Sequence, residues 1–485
     1  MGKGMNRFVL LIALIAGFAG FLFGFDSSVI ADIQDQVTQQ LSLSNWQWSQ
    51  VVSFSLLGSI FGIPLSSFIA DKLSRRTLLK IVALGFIVGT SFCAQAHNLQ
   101  YLLLGRFIIG ICIGIASYAA PLFISEIAPP QQRGTLILIN GLAITFGQTA
   151  AYLVGYAVHD LFTTSWRLLL WLGVLPALIL YFGLYLVPHS PRWLIKKYGP
   201  AEAQKVLEKT RSNKTDVQEE LQEIKAAMQQ VKPNFKLLLK PPIFFVLLLG
   251  IALGVFQQLS GINAIMFYGP MIFMSAGFFS IKNAILATFW ISLLNFLLTL
   301  FTSLFIDRFG RRPMLLTGTL MAGLSLLGVS LVFYYSVSDH QGWMLFFMTL
   351  YVIGYCISLG SIFWVLIAEI YPNQVRGFAM SIASLMHWIA NFLVSISFLK
   401  FYEQLGEVSV FAIFSLVCFL SFVVTYFFVP ETTGMSLEKI EHNLQTGKRL
   451  REIGQPGNNG RKKRKSLLGP KSVINYFRAA NVDEM

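Results

Sequence analysis

The sequence predicts an all-α membrane protein with twelve transmembrane helices arranged as two bundles of six. Of its 485 residues, 55% are hydrophobic and only 12% are charged, whereas soluble domains average about 25% charged residues. Twelve apolar runs each have room for a span of about 20 residues. A short charged pattern also occurs twice, about 240 residues apart. This composition excludes an ordinary soluble domain.

The apolar runs fall into two groups of six on either side of a polar segment. Lys3 and Arg7 precede the first run, but no small-residue cleavage site follows it. We therefore interpret the first run as a transmembrane helix rather than a signal peptide. The predicted spans are 8–31, 47–70, 78–96, 100–125, 135–158, 165–187, 242–275, 282–306, 313–335, 342–371, 375–400 and 407–429.

Four parts of the chain follow from this division. We expect an N-terminal six-helix bundle at 1–189, a linker at 190–240, a C-terminal six-helix bundle at 241–430 and a basic tail at 431–485. In the linker, 201–209 and 217–230 carry charged and apolar residues at helical spacing, which predicts short amphipathic helices. The basic run at 461–465 is typical of a solvated tail that touches anionic lipid.

Lysine and arginine concentrate at one side of the predicted bundle. The first loop, predicted from Asp32 to Trp46, contains neither, whereas the loops after helices 2 and 8 are basic. The positive-inside rule then places both termini and the linker in the cytoplasm. Short outer loops, with no glycosylation site in the first one, favour a bacterial inner membrane. The net charge of +14 reflects this distribution and does not indicate a nucleic-acid partner.

Four cysteines lie within apolar runs and lack the spacing of metal ligands. We expect them to be buried small hydrophobes, and we expect neither a metal nor a cofactor.

The repeated pattern places matched charges at the ends of apolar runs. We expect Asp71 to pair with Arg133, Asp307 with Arg376, and the two glutamates with neighbouring arginines. Paired charges at one surface of a duplicated bundle are the layout of a secondary transporter, where they can lock the cytoplasmic side. The set comprises Asp71, Arg75, Arg76, Glu126 and Arg133 in the first copy, and Asp307, Arg311, Arg312, Glu369 and Arg376 in the second.

Several motifs occur in a fixed order along the chain. They are Asp-Arg-x-Gly-Arg-Arg at 307–312, Glu-x-x-Pro-x-x-x-Arg-Gly at 126–134 and 369–377, Pro-His-Ser-Pro-Arg-Trp at 188–193, Gln-Gln-Leu-Ser-Gly-Ile-Asn at 257–263 and Pro-Glu-Thr-Thr-Gly at 430–434. Together they resemble the sugar porter family of the major facilitator superfamily. The resemblance covers 8–445 and implies the major facilitator fold and transport of a monosaccharide or polyol.

The sequence departs from this family pattern at several positions. His189 replaces the usual glutamate, and helix 10 lacks the usual prolines before Trp364. Gly141 stands where most members have a sugar-contacting glutamine, and His387 stands where xylose carriers have a glutamine. In the first copy of the repeat, Ser67 and Ser74 replace glycines.

Sugar hydroxyls both donate and accept hydrogen bonds, so a sugar site needs amides together with aromatic faces. Helix 7 carries Gln257, Gln258 and Asn263. On an ideal helix Gln258 and Asn263 point about 140° apart, so they can share a ligand only if the helix unwinds near Ser260–Gly261. The alternative is that these amides bridge helices. Further candidates for the site are Phe23, Gln148, Tyr268, Asn295, Gly360, Trp364, His387 and Trp388.

For the aromatic candidates, the alternative is packing in the core. A neutral His387 can exchange one hydrogen bond with a hydroxyl, and the alternative is a packed ring bonded to a backbone carbonyl. We hypothesise that His387 adapts the site to a sugar or cyclitol unlike xylose.

Asp26 lies inside the first apolar run, where an unpaired carboxylate is costly. Arg106, in the fourth run, is the natural partner. The resemblance implies proton coupling, because proton-coupled sugar porters share both residues whereas passive relatives usually carry an amide at the first position. Gly173 stands where xylose symporters have a glutamate, so coupling would resemble that of plant hexose carriers. The alternative is a fixed buried salt bridge.

Three functions remain open at this point. The leading one is a proton/sugar or proton/polyol symporter, with a monomeric functional unit in the lipid bilayer. A passive uniporter of the same fold is the second. A sugar sensor is disfavoured, because the tail has only about 55 residues. An enzyme is the least expected, because the sequence shows no P-loop, metal cluster or nucleophile–base pair.

Overall fold

The structure is a computed structural model that describes residues 6–70, 72–161, 165–211, 214–229, 235–335, 340–372, 374–435, 437–446 and 448–454. Asp71 and the tail at 455–485, both covered by the sequence predictions, lie outside the described residues, and so does the side chain of Asp307. The described residues form helices and loops without a β-strand.

The first part of the chain forms five long helices and five shorter ones. These are α1 (Arg7–Leu41), α2 (Asn45–Ala70), α3 (Arg75–Ala94), α4 (Leu99–Ile127), α5 (Arg133–Val158), α6 (Ser165–Leu172), α7 (Val174–Gly183), α8 (Pro191–Tyr198), α9 (Pro200–Thr210) and α10 (Lys214–Gln229). The second part forms α11 (Pro241–Leu259), α12 (Ile262–Ser275), α13 (Ile281–Phe309), α14 (Arg311–Tyr335), α15 (His340–Tyr355), α16 (Ser361–Ile370), α17 (Arg376–Phe428) and α18 (Leu437–Gln445).

Among the described residues, eleven helical stretches are long and apolar enough to cross a membrane. The last of them, α17, has 53 residues, so an unbroken helix would be about 80 Å long against a hydrocarbon core of about 30 Å. Gly406 breaks it with φ +77° and ψ 165°, a backbone conformation that glycine tolerates. The stretch therefore supplies two spans, and the prediction of twelve is confirmed.

The predicted end of the first helix is wrong. The sequence analysis ended it at residue 31, but α1 continues to Leu41 and stops at Ser42, whose φ is +50°. Buried Ile30, Ile33 and Val37 continue one apolar face at helical spacing, and this face keeps the chain helical. As a result Asp32, predicted to begin a loop, lies inside the helix.

The predicted break in helix 7 is confirmed. α11 ends at Leu259, Gly261 adopts φ +92°, and α12 begins at Ile262. Helix 10 is also interrupted, because residues 356–360 form a π-turn in which Ser358 has φ −118° and ψ −106°. Non-helical backbone at membrane depth is tolerated where protein or a cavity surrounds it.

Close packing of small residues joins the helices. α1 packs along α5, α2 and α3 pack along α4, and α14 packs along α15 and α17. A Cβ added to Gly24 would lie 1.9 Å from the Ile144 carbonyl oxygen, and one added to Gly110 would lie 2.1 Å from the Ser55 carbonyl oxygen. Glycine at these positions lets the backbones approach, as is typical of membrane helix interfaces.

The linker forms the helices that the sequence predicted. α9 and α10 match the two amphipathic segments, and α8 precedes them. Arg211 pairs with Glu220 and donates to the carbonyls of Ile127 and Ala128 at the end of α4. These bonds attach the linker to the N-terminal part of the chain. The four cysteines are buried, as predicted.

We predict that Gly261→Ala destabilises the protein. Alanine at positive φ costs about 1–2 kcal/mol, and its Cβ would also lie 2.5 Å from the Phe414 ring. Thermal unfolding in detergent should show a lower midpoint for this variant. Gly377→Ala is the control, because its Cβ would meet nothing within 4 Å, and an equal loss in both variants would contradict the prediction.

Candidate functional site

A buried ion pair joins the first and fourth helices. The Arg106 guanidinium lies 2.6 Å and 2.7 Å from the two carboxylate oxygens of Asp26, and the two side chains are 2% and 6% exposed. Arg106 also donates to the Val51 carbonyl oxygen at 3.1 Å and to the Ser55 hydroxyl at 2.7 Å. Helices α1, α2 and α4 thus converge on one guanidinium, and the contact predicted from the sequence is present.

The break between α11 and α12 brings the predicted amides together. The Asn263 side chain donates to the Gln258 amide oxygen at 2.6 Å, although the two residues would face apart on a continuous helix. Gln257 donates to the Leu359 carbonyl oxygen at 2.9 Å, at the π-turn, and lies 3.4 Å from the Gly360 carbonyl oxygen. The two interrupted helices therefore meet at these amides.

His387 lies between the amides and an aromatic group. Both of its ring nitrogens lie 3.2 Å from the Gln258 amide nitrogen, which can donate to one of them. Its ring stacks on Phe363, with centroids 5.6 Å apart and planes 5° apart. Trp364 and Trp388 meet the ring with their edges. One histidine thus connects the polar and the aromatic parts of the site.

Aromatic rings also extend across the two halves of the protein. Phe23 of α1 lies 5.6 Å from Trp388 of α17, measured between ring centroids. Trp388 is buried, whereas Trp364 keeps 42% of its surface exposed. A partly open tryptophan beside buried amides gives a sugar ring a face on which to stack.

Three other candidates differ in their surroundings. Gln148 is buried in α5. Asn295 in α13 accepts from the Cys356 thiol at 3.1 Å. Tyr268 is fully buried, donates to the Ser395 carbonyl oxygen at 3.0 Å and stacks on Phe398. These contacts fit the packing alternative for Tyr268 better than a sugar wall.

The charged pattern forms two matched clusters, which lie at one end of the bundle that we call the charged face. Arg75 lies 3.1 Å from Glu126, and Arg311 lies 2.8 Å from Glu369. A hydroxyl group donates a hydrogen bond to each glutamate. Ser190 donates to Glu126 in the first half, and Thr432 donates to Glu369 in the second. The expectation that the glutamates pair with neighbouring arginines is confirmed.

Three further arginines of the pattern donate hydrogen bonds to backbone carbonyl oxygens. Arg76 donates to the Tyr185 carbonyl oxygen at 3.4 Å, and Arg312 donates to the Tyr426 carbonyl oxygen at 3.0 Å. Arg376 donates to the Tyr371 carbonyl oxygen at 3.1 Å. The Nε of Arg133 is buried without a hydrogen bond. The pairs predicted with Asp71 and Asp307 involve side chains outside the described part of the chain.

The two halves meet at the end opposite the charged face, which we call the closed face. Tyr152 donates to the Met266 carbonyl oxygen, and Gln34 lies 3.7 Å from the Met271 sulfur. The hydroxyl of Thr149 lies 3.1 Å from the Ser292 carbonyl oxygen. Two further pairs that join the halves at this face are Lys282 with Asp160 and Asn45 with Glu403.

The sequence analysis missed the residues that close this face and the buried carboxyl of Asp32. The Tyr152 contact depends on the packing of α5 against α12, for which the sequence holds no local signal. Asp32 did have a signal, because Ile30, Ile33 and Val37 keep the helical period beyond the predicted end of α1.

Comparisons with known proteins agree with this architecture. The family model of the sugar (and other) transporters matches residues 12–444. The galactose-proton symporter of Escherichia coli (strain K12) is 34% identical over 456 residues, which cover 93% of this chain and 98% of the relative. The arabinose-proton symporter of the same strain is 32% identical over 459 residues, covering 93% and 96%.

A solved structure shares this fold over most of the length of both chains. The xylose transporter of E. coli in its inward-open conformation aligns with a TM-score of 0.79 at 29% sequence identity, over 90% of this chain and 99% of that one. The chain belongs to the sugar transporter family of the major facilitator superfamily, and it is a multi-pass membrane protein.

We predict that Arg106→Gln lowers the free energy of unfolding by about 3–5 kcal/mol, because it leaves a buried carboxylate without a partner. The double variant Asp26→Asn/Arg106→Gln leaves no charge and should recover part of that loss. Reversible denaturation in lipid or detergent checks both. Equal losses in the single and the double variant would show that the charge is not what destabilises the protein.

Proposed function

We propose that the protein is a proton-coupled symporter of a monosaccharide or polyol that works by alternating access. The observation that carries the proposal is the ion pair of Asp26 and Arg106. In an apolar interior the carboxylate is stable only while the guanidinium stays beside it or while a proton neutralises it. Protonation of Asp26 therefore frees α1 from α4, and loss of the proton draws the two helices together again.

The hydrogen bonds of Arg106 support this role. Its bonds to Val51 and Ser55 hold the guanidinium on α2 when Asp26 is protonated, so the cation is not left without partners. Protonation of Asp26 thus breaks one contact, that between α1 and α4, and leaves the other hydrogen bonds of Arg106 in place. A coupling step needs such a local change with two defined states.

The sugar site in this proposal is the space beside the broken helices. The amides exchange hydrogen bonds with sugar hydroxyls, and the tryptophans stack on the C–H face of the ring. Asn295 of α13 and Gln148 of α5 complete the polar part of this proposed site. The proposed ligand-binding set is Phe23, Gln148, Gln257, Gln258, Asn263, Asn295, Gly360, Trp364, His387 and Trp388, with Tyr268 supporting Phe398 behind it.

The charged face supplies the gate in this proposal, and we place it in the cytoplasm together with both termini and the linker. The described pairs Arg75–Glu126 and Arg311–Glu369 each lie within one half, and the halves are held together at the closed face. This arrangement is that of a carrier open to the cytoplasm. The two six-helix bundles, divided at 189 and 241, then rock against each other around the site, in a bacterial inner membrane and as a monomeric unit.

Transport by reconstituted protein tests the proposal. In proteoliposomes, uptake of labelled hexoses, pentoses and inositol should quicken when the outside is acidified. We predict that Asp26→Asn abolishes accumulation against a gradient while retaining sugar exchange, because the neutral amide needs no proton. Asp35→Asn, in the same helix and bonded to Gln39, is the matched control and should still accumulate sugar. Accumulation by Asp26→Asn equal to that of the unchanged protein would show that Asp26 does not carry the coupling proton, whereas no accumulation by the unchanged protein would support a uniporter.

A further prediction concerns which sugars the protein transports. His387→Gln should change the ranking of sugars and cyclitols by several-fold in competition for uptake, because it replaces a planar ring stacked on Phe363 with a flexible amide. The measurement is inhibition of labelled sugar uptake by a panel of unlabelled pentoses, hexoses and inositol. An unchanged ranking would mean that the histidine only packs, and Ser381→Ala, on an exposed part of α17, is the control.

A further inference from the structure

The carboxyl of Asp32 is a buried acid outside the coupling pair. The residue is 3% exposed, and neither carboxylate oxygen has a hydrogen-bond partner among the described residues. An ionised carboxyl without partners is strongly unfavourable in an apolar interior, and such a group takes up a proton instead. Asp32 therefore carries a proton in the conformation described here.

The surroundings of Asp32 combine tight packing with one small polar cavity. A Cβ added to Gly155 would lie 2.0 Å from the Asp32 Oδ2 atom, so the backbone of α5 lies directly against the carboxyl. A cavity of about 10 Å³ borders the other side, with room for about one water. Its polar lining comes from Asp32, Gln36, His159, Ser165 and Trp166.

The other titratable and charged groups near Asp32 are engaged elsewhere. Tyr152 of α5 donates its hydroxyl to the Met266 carbonyl oxygen. Arg167 of α6 donates to two carbonyl oxygens, at 2.6 Å and 2.8 Å, at the end of α3. Asp35, one turn further along α1, accepts from Gln39. None of these groups supplies Asp32 with a counter-charge or a donor.

His159 connects the cavity with the surface of the closed face. Its Nε2 atom is buried without a partner, and its Nδ1 atom lies 2.9 Å from Asp160, which is 59% exposed. Hydrogen bonds from His159 and from Lys282 hold the pKa of Asp160 below its ordinary value. The Nδ1 contact leads from a residue that lines the cavity to the exposed Asp160, so His159 lies between the cavity and the surface.

The contacts around His159 and Asp160 also link Asp32 to the closure of the closed face. Lys282 belongs to the C-terminal half and pairs with Asp160 at 2.6 Å. Gln34, which follows Asp32 in α1, and Tyr152, one turn before Gly155 in α5, also contact the C-terminal half. Opening of the closed face must separate these contacts.

We propose that Asp32 is a second proton-binding carboxyl, loaded from the closed face through His159, and that this proton must be bound before the face can close. When the face opens, the proton passes to a water and leaves on the side from which it came. The cavity lies beside the closed face, so this proton is not carried to the charged face. Asp32 thus sets the pH dependence of closure without adding to the number of protons transported.

The direction of the effect follows from the two states. The closed state holds Asp32 protonated, whereas the open state lets it ionise. Raising the pH outside therefore favours the open state, slows closure and lowers the rate of sugar exchange. The inference rests on the proposed transport cycle and on the proposed placement of the closed face outside.

Exchange measurements test it in an Asp26→Asn background, where the coupling proton is absent. External pH is varied in proteoliposomes while internal pH is fixed. Exchange by Asp26→Asn, and by Asp26→Asn/Asp35→Asn as control, should fall several-fold as the outside becomes alkaline. Exchange by Asp26→Asn/Asp32→Asn should change by less than about twofold. Equal pH dependence in all three variants would overturn the inference. Accumulation by Asp26→Asn would overturn only the proposed role of Asp26 in coupling.

A second measurement detects closure of the closed face without measuring transport. The native cysteines are buried, so the pair Gln34→Cys/Met271→Cys reports closure by its yield of cross-link under an oxidant. The yield should fall at alkaline external pH, and Asp32→Asn in the same pair should flatten that fall. Alkaline pH also ionises the introduced thiols, but it does so equally with and without Asp32→Asn, so this effect cancels in the comparison. An equal fall in both would show that Asp32 does not govern closure.

Discussion

The interior of a bilayer offers no water to a polar group, so the protein must provide every partner itself. The contact between Asp26 and Arg106 meets this demand at its most costly point, because both groups carry a full charge. Two helices supply acceptors to the guanidinium that α4 carries: α1 a carboxylate, and α2 a hydroxyl and a backbone carbonyl. The packing of α1, α2 and α4 around this group is therefore a condition for the fold as well as for any coupling.

The same demand explains why the proposed sugar site lies at interrupted helices. A regular helix satisfies its own carbonyls and leaves side chains as the only free polar groups. The break at Gly261 brings Asn263 within reach of Gln258, and the π-turn frees the Leu359 carbonyl for Gln257. The proposed site combines these amides with Trp388, which contacts Phe23 of the N-terminal half.

The sequence predicted what depends on local pattern. The twelve spans follow from apolar length, the break in helix 7 from the angle between two amides, and the partner of Asp26 from the cost of a lone charge. The sequence did not predict where α1 ends, because the loop was placed at the first polar residues although the apolar face continues. Contacts between the halves, such as Tyr152 with Met266, depend on the conformation of the whole carrier and have no local signal. Tyr268 is similar, since only the three-dimensional packing shows that its hydroxyl is used by Ser395.

The attachment of the linker has a mechanical consequence. Arg211 fixes the end of α9 to the carbonyls of α4, and Asn6 donates to the Lys209 carbonyl oxygen, so these short helices travel with the N-terminal half. At the other end of the chain, α18 packs against α11 and α16 and travels with the C-terminal half. Glu220 of α10 also pairs with Arg211, so α10 belongs to the same moving unit, and the linker passes to the C-terminal half only beyond α10.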